Sequence, residues 1–81
     1  MRHSTIIVRA DWDDVAKVWV ATSDDIDGLA TEAATFDELR DKVLVMVAEL
    51  MELNGLQSDL PEIPVHIMGQ QIGRVQNPAF N

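Results

Sequence analysis

A chain of 81 residues with a formal charge of −8, 47% hydrophobic residues and no cysteine leaves few options open. It has room for one hydrophobic core and no second domain, and its apolar fraction is too high for a disordered segment. Disulfides and thiolate metal sites are excluded, and the lack of cysteine fits a reducing cytoplasm. The six basic residues, Arg2, Arg9, Lys17, Arg40, Lys42 and Arg74, are scattered. Nucleic-acid affinity comes largely from clustered Lys and Arg neutralising phosphates, so direct binding to DNA or RNA is not expected. Opposite charge steers association, which favours a basic protein partner. The apolar run Ile6 to Val8 is too short for a signal-peptide core. Val43 to Ala48 falls far below the roughly 20 residues of a membrane span. A soluble, cytoplasmic protein without membrane contact is expected.

Thr5 to Asp11 is rich in β-branched residues and reads as a first strand. Asp11-Trp-Asp-Asp14 supplies aspartates that favour a turn. Val15 to Ser23 reads as a second strand, joined to the first as an antiparallel hairpin. Its even positions Ala16, Val18 and Val20 are uniformly apolar, whereas its odd ones mix Val15, Lys17, Trp19 and Ala21. Such alternation implies one buried and one partly exposed face. Trp19, on the mixed face, either caps the core or sits on the exposed sheet. Asp24 to Gly28 forms a loop, with Gly28 free to take positive φ, and Leu29 to Ala33 reads as a short third strand.

Thr35-Phe-Asp-Glu38 is a capping box, and Asp37 and Glu38 suit the positive end of a helix dipole. Phe36, Leu39, Val43, Met46, Val47, Leu50 and Leu53 then recur on one helical face. Asn54-Gly55 ends this helix of about 18 residues, Gly55 serving as the left-handed cap. Pro64 to Met68 reads as a last strand, suited by its two nearby prolines to an edge or a strand start. Residues 69–81 form an extension that either adds a short strand over Ile72 to Val75 or settles on a neighbour. The order β-β-β-α-β predicts an α+β, two-layer domain: a mainly antiparallel sheet with one helix on one face.

No constellation for catalysis is apparent. His3 and His66 lack positioned partners, and Ser4, Ser23 and Ser58 lack a nucleophile context. The aspartate clusters Asp11, Asp13, Asp14 and Asp24, Asp25, Asp27 do not match a calcium loop and are explained by turn formation. No metal, cofactor or catalytic residue is therefore assigned. Trp19 is a candidate partner contact, since Trp is enriched at interface hot spots. Leu44, Val45, Ala48 and Met51 fall off the main helical stripe, forming a second apolar patch suited to self-association. Closed two-fold symmetry is the commonest outcome, so a homodimer or larger even oligomer is expected.

The segment Val18-Trp-Val-Ala-Thr-Ser-Asp-Asp-Ile-Asp-Gly-Leu-Ala-Thr-Glu-Ala-Ala-Thr-Phe-Asp-Glu-Leu39 resembles the HicB-like antitoxins and their close relatives. Shared features are an aromatic-bearing strand, an aspartate-and-glycine loop, a short strand and a Thr-x-x-Glu cap opening an amphipathic helix. The resemblance spans about residues 5–68 and implies a partial ribonuclease-H-like sheet. It also implies that the domain binds and blocks a small basic toxin acting on RNA. Asp24, Asp25 and Asp27 are the loop residues such a partner would meet. Asp27 departs from the pattern, standing where the loop usually carries proline. The short C-terminus lacks the DNA-binding segment that many members carry. The other reading is a stand-alone homo-oligomeric domain with no toxin.

Overall fold

The protein is described here by a computed structural model covering residues 5–80. β1 (Ile6–Asp13), β2 (Val18–Thr22), β3 (Ala30–Ala33), α1 (Phe36–Leu53) and β4 (Val65–Gln70) follow in that order. They build the expected α+β design, a four-stranded mixed sheet ordered β3-β2-β1-β4 with α1 packed on one face. Two of its three pairings are antiparallel, and β1 with β4 is parallel. Connectivity explains the exception. Two reversals leave β3 running in the direction of β1, and the helix, about 27 Å long at 1.5 Å per residue, carries the chain back to the start of the sheet. The next strand therefore runs parallel to β1.

Strict alternation along β1 sets the two faces. Ile6, Val8 and Ala10 are fully buried under the helix, while Ile7, Arg9 and Asp11 point the other way. Pairing transmits this parity. Ala10 lies opposite Ala21 and Trp12 opposite Trp19, so the odd residues of β2 face the helix. Val18 and Val20, the uniformly apolar set, sit half-buried on the open face instead.

The hairpin turn falls later than the Asp11–Asp14 reading placed it. Both strands continue through Trp12 and Asp13, and the reversal occupies residues 14–17. Asp13 is the reason. Its carboxylate accepts from the N–H groups of Val15 and Ala16, each at 3.0 Å, and its carbonyl accepts from Lys17 N–H at 2.7 Å. An aspartate that binds the backbone two and three residues on opens a turn rather than sitting inside one. Lys17 closes it at φ +60°, an uncommon conformation for a residue other than glycine.

The helix matches the sequence reading at both ends. Thr35 accepts at its hydroxyl from Glu38 N–H (3.1 Å), and Asp37 and Glu38 occupy the first turn. At the other end Gly55 takes φ +66°, with Gly55 N–H bound to Glu52 O and Leu56 N–H to Met51 O. This is the paired-bond cap that satisfies otherwise orphaned carbonyls. It also moves the apolar stripe. Leu56 folds back beside Met51, and both pack against the core, whereas Leu53 is 79% exposed. Leu53 therefore leaves the core list, and Met51 leaves the outer patch.

β4 runs two residues past the Met68 end expected for it, through Gly69 and Gln70. Gly69 fits because a Cβ there would come within 2.7 Å of the Phe36 ring. No regular strand forms over Ile72 to Val75.

Removing the Thr35 hydroxyl leaves Glu38 N–H without its acceptor, so Thr35→Ala should lower stability by about 1 kcal/mol. Chemical denaturation would show this as a lower midpoint with an unchanged slope.

Candidate binding surface

The open face of the sheet and the Asp24–Gly28 loop together form an outward surface with exposed apolar and charged side chains. Ile7 on β1 (43% exposed) and Met68 on β4 (54% exposed) line one shallow depression together with Arg9, Asp24 and Asp25. Arg9 pairs with Asp24 at 3.2 Å, and both side chains are well exposed. Screening by water and salt makes such a pair a weak contributor to stability, and it leaves both charges available to a partner.

The three loop aspartates have separate duties. Beyond the Arg9–Thr22 pair the β1–β2 ladder ends, yet Ile7 still has backbone groups to satisfy. Asp25 carboxylate accepts from Ile7 N–H at 2.7 Å, and Ser23 hydroxyl donates to Ile7 O at 2.6 Å. The same hydroxyl accepts from Asp25 N–H at 3.1 Å. Two side chains thus extend the ladder by one rung after the backbone has turned away. Ile26 is driven into the core at 2% exposure, and Leu29 follows it. Gly28 at φ +89° allows the return, and Asp27 carbonyl accepts from the Asn54 side chain at 3.2 Å, tying the loop to the helix end. Asp24 and Asp27 remain outward and exposed, while Asp25 is half-buried and committed to the sheet.

Trp19 caps the core. Its ring meets Phe36 edge-on at 5.2 Å and Trp12 at 5.4 Å, giving a run of three aromatics from the hairpin to the helix start. A contact role for Trp19 is thereby reduced to the part of the ring left accessible. On the helix, Leu44 (40%), Val45 (59%) and Ala48 are exposed as expected, and Val45 borders an open groove with Thr31 and Met46. Ile72 and Val75 are exposed within the extension that the sequence sets apart, whereas exposed Ile7, Met68 and Phe80 carry no such mark. The alternation of β1 was the signal for Ile7, hidden by the unbroken apolar run Ile6 to Val8.

Titratable chemistry is sparse. His66 is exposed on β4, and His3 and Ser4 lie outside the described residues. Among the described residues no group of three or more His, Asp or Glu side chains is arranged to hold a metal ion, and no helix is long and apolar enough to cross a membrane. The hydrogen bond from Lys17 (2.9 Å), then that from Trp12 Nε1 (3.4 Å), hold the Asp14 carboxyl below the usual carboxylate range.

Both carboxylate roles can be measured. Asp25→Ala removes the acceptor of Ile7 N–H and should cost about 1 kcal/mol, whereas Asp25→Asn, which keeps a carbonyl oxygen, should recover most of that in urea denaturation. A depressed folded-state pKa contributes stability above the unfolded value that is lost as pH falls through the folded one. Asp14→Asn should therefore destabilise slightly at pH 7, by an amount that shrinks as pH falls through the carboxylate range.

Comparison with known proteins gives a family and one solved relative. The crystal structure of the hypothetical protein TTHA1013 from the extremely thermophilic bacterium Thermus thermophilus is 48% identical, with a TM-score of 0.65; the match covers 90% of this chain and 99% of that one. No curated protein matches significantly. The model of a family described as a domain of unknown function, DUF1902, matches residues 5–76, from the first strand to six residues past β4. The chain therefore belongs to the DUF1902 family.

Proposed function

We propose that this domain is a HicB-like, antitoxin-type protein-binding module that occupies and blocks a small basic protein acting on RNA, rather than an enzyme. The observation that carries this reading is the surface itself. Exposed Ile7 and Met68 stand on an otherwise mixed open face, beside outward Asp24 and Asp27, on a chain of charge −8. Apolar contact with flanking carboxylates suits a basic partner, with charge setting encounter and the apolar centre setting residence. The resemblance of residues 18–39 to HicB-like antitoxins points the same way. Residues 65–80 contain one basic side chain, Arg74, besides His66, so repression by direct DNA binding is not part of the proposal.

The second reading is a stand-alone homo-oligomer without a toxin, favoured by the exposed Leu44, Val45 and Ala48. The two readings separate on co-expression with the product of the adjoining reading frame. An antitoxin should co-purify with a small basic protein, lose it as salt is raised, and bind it more weakly once Asp24 and Asp27 are changed to Lys. Failure of that product to bind would overturn the antitoxin reading. So would salt-sensitive binding of the chain alone to duplex DNA at micromolar concentration near 150 mM salt, where nonspecific phosphate contacts dominate.

A further inference from the structure

Residues 71–80 run on from β4 as an arm, whose first part, Gln71, Ile72 and Arg74, borders a depression shared with Asp11, Trp12 and Asp14. Every residue of the arm is exposed, with Ile72 at 78%, Val75 at 92% and Phe80 at 72%. Among the described residues, 72–76 make no hydrogen bond to the body, and the arm's own bonds are confined to a turn from Asn77 to Phe80. The molecule is correspondingly drawn out, 57 Å in its longest dimension, with a radius of gyration of 16.0 Å. A compact chain of this length would have about 12 Å. Its accessible surface is 6100 Å², against about 4,900 Å² for a compact monomer of this mass. The excess, about 1,200 Å², is larger than the roughly 800 Å² that one partner contributes to an ordinary protein interface.

We propose that this arm and the outer edge of β4 pair with the same segment of a second copy, antiparallel about a two-fold axis at Gln70, joining two sheets into one of eight strands. β4 lies at the end of the sheet order, so one side of its backbone is unpaired, which is the setting in which strands add. No proline lies between Pro64 and Pro78, so every residue from 65 to 77 has an N–H to give to a ladder. Centring the pairing on Gln70 sets Ile72 opposite Met68 of the second copy, and Val75 opposite Val65. Apolar side chains then meet on both faces, because directly opposed residues in an antiparallel pair share a face. Charge agrees: residues 71–80 carry Arg74 and no acid, and they meet a body that holds all fourteen acidic residues. The family match reaches Gln76, so the stretch being paired belongs to the domain. This choice places self-association on the strand edge and leaves the Val45 face of the helix free. It does not depend on whether a toxin-like partner exists.

The native chain has no cysteine, which makes single-cysteine reporters clean. Full-length Gln70→Cys should form a disulfide-linked dimer on mild oxidation, since the two side chains face each other across the axis, whereas Val45→Cys should not. In sedimentation equilibrium the full chain should be a dimer, and a chain ending at Gln70 should be a monomer with the same helical circular dichroism. Ile72→Lys, which leaves the core untouched, should shift the full chain toward monomer. A full chain that stays monomeric at high micromolar concentration overturns the proposal. So does a dimer that survives truncation, or one that cross-links through Val45→Cys but not Gln70→Cys. Because these measurements use the chain alone, their failure would leave the toxin-binding reading standing, and the loss of that reading would leave them intact.

Discussion

A sheet covered by one helix has a single dry interface, and here β1 supplies its middle. Ile6, Val8 and Ala10 are fully buried beneath Leu39, Val43 and Val47, and no other strand places more than two residues in that core. Burying apolar surface contributes about 25 cal/mol per Å², and a domain of this size has little of it to spare. Everything else is positioned by reference to this strand. β2 takes its parity from β1, β3 takes its own from β2, and β4 closes the opposite side. The open face is then set as well, since each residue of β1 that does not enter the core must point to it.

The aspartates illustrate how one residue type serves several ends. Asp13 opens the hairpin turn, Asp25 extends the β1–β2 ladder, and Asp24 and Asp27 carry charge outward. Only the last pair is free to serve recognition without loosening the sheet. Acidity in this chain is thus partly architecture, and counting carboxylates overstates the surface offered to a partner.

What could be read from sequence was what is decided locally. The helix was legible from Thr35 to Gly55 because its cap, its stripe and its stop each lie within a few residues. The hairpin was legible as a pairing but not in its turn, because closely spaced aspartates and a Trp fit several turns equally well. Contact between Trp12 and Trp19 across the strands, together with the three bonds made at Asp13, settles which one forms. Trp19 could be narrowed only to core or surface, because its side depends on its register with β1. The ladder-extending role of Asp25 was invisible for the same reason: Ile7 lies 18 residues away. Exchange of Met51 for Leu53 in the core followed from the fold-back of Leu56, a feature of the cap and not of the helical period.

The central position of β1 also dictates an order of events as the chain is made. Its pairing with β2 closes almost at once, but Ile6 must wait for Val65 to complete the other side. At 5–20 residues per second on the ribosome, that interval is roughly 3–12 s. During it Ile6, Ile7 and Val8 present an unpaired strand edge, and contacts so far apart in sequence are slow to form even after release. The newborn protein therefore passes through a half-closed stage in which the strand that supplies the middle of its core is open along one side. A chaperone engaged in that window would find its binding site in the first ten residues, and would be displaced by the last strand to emerge.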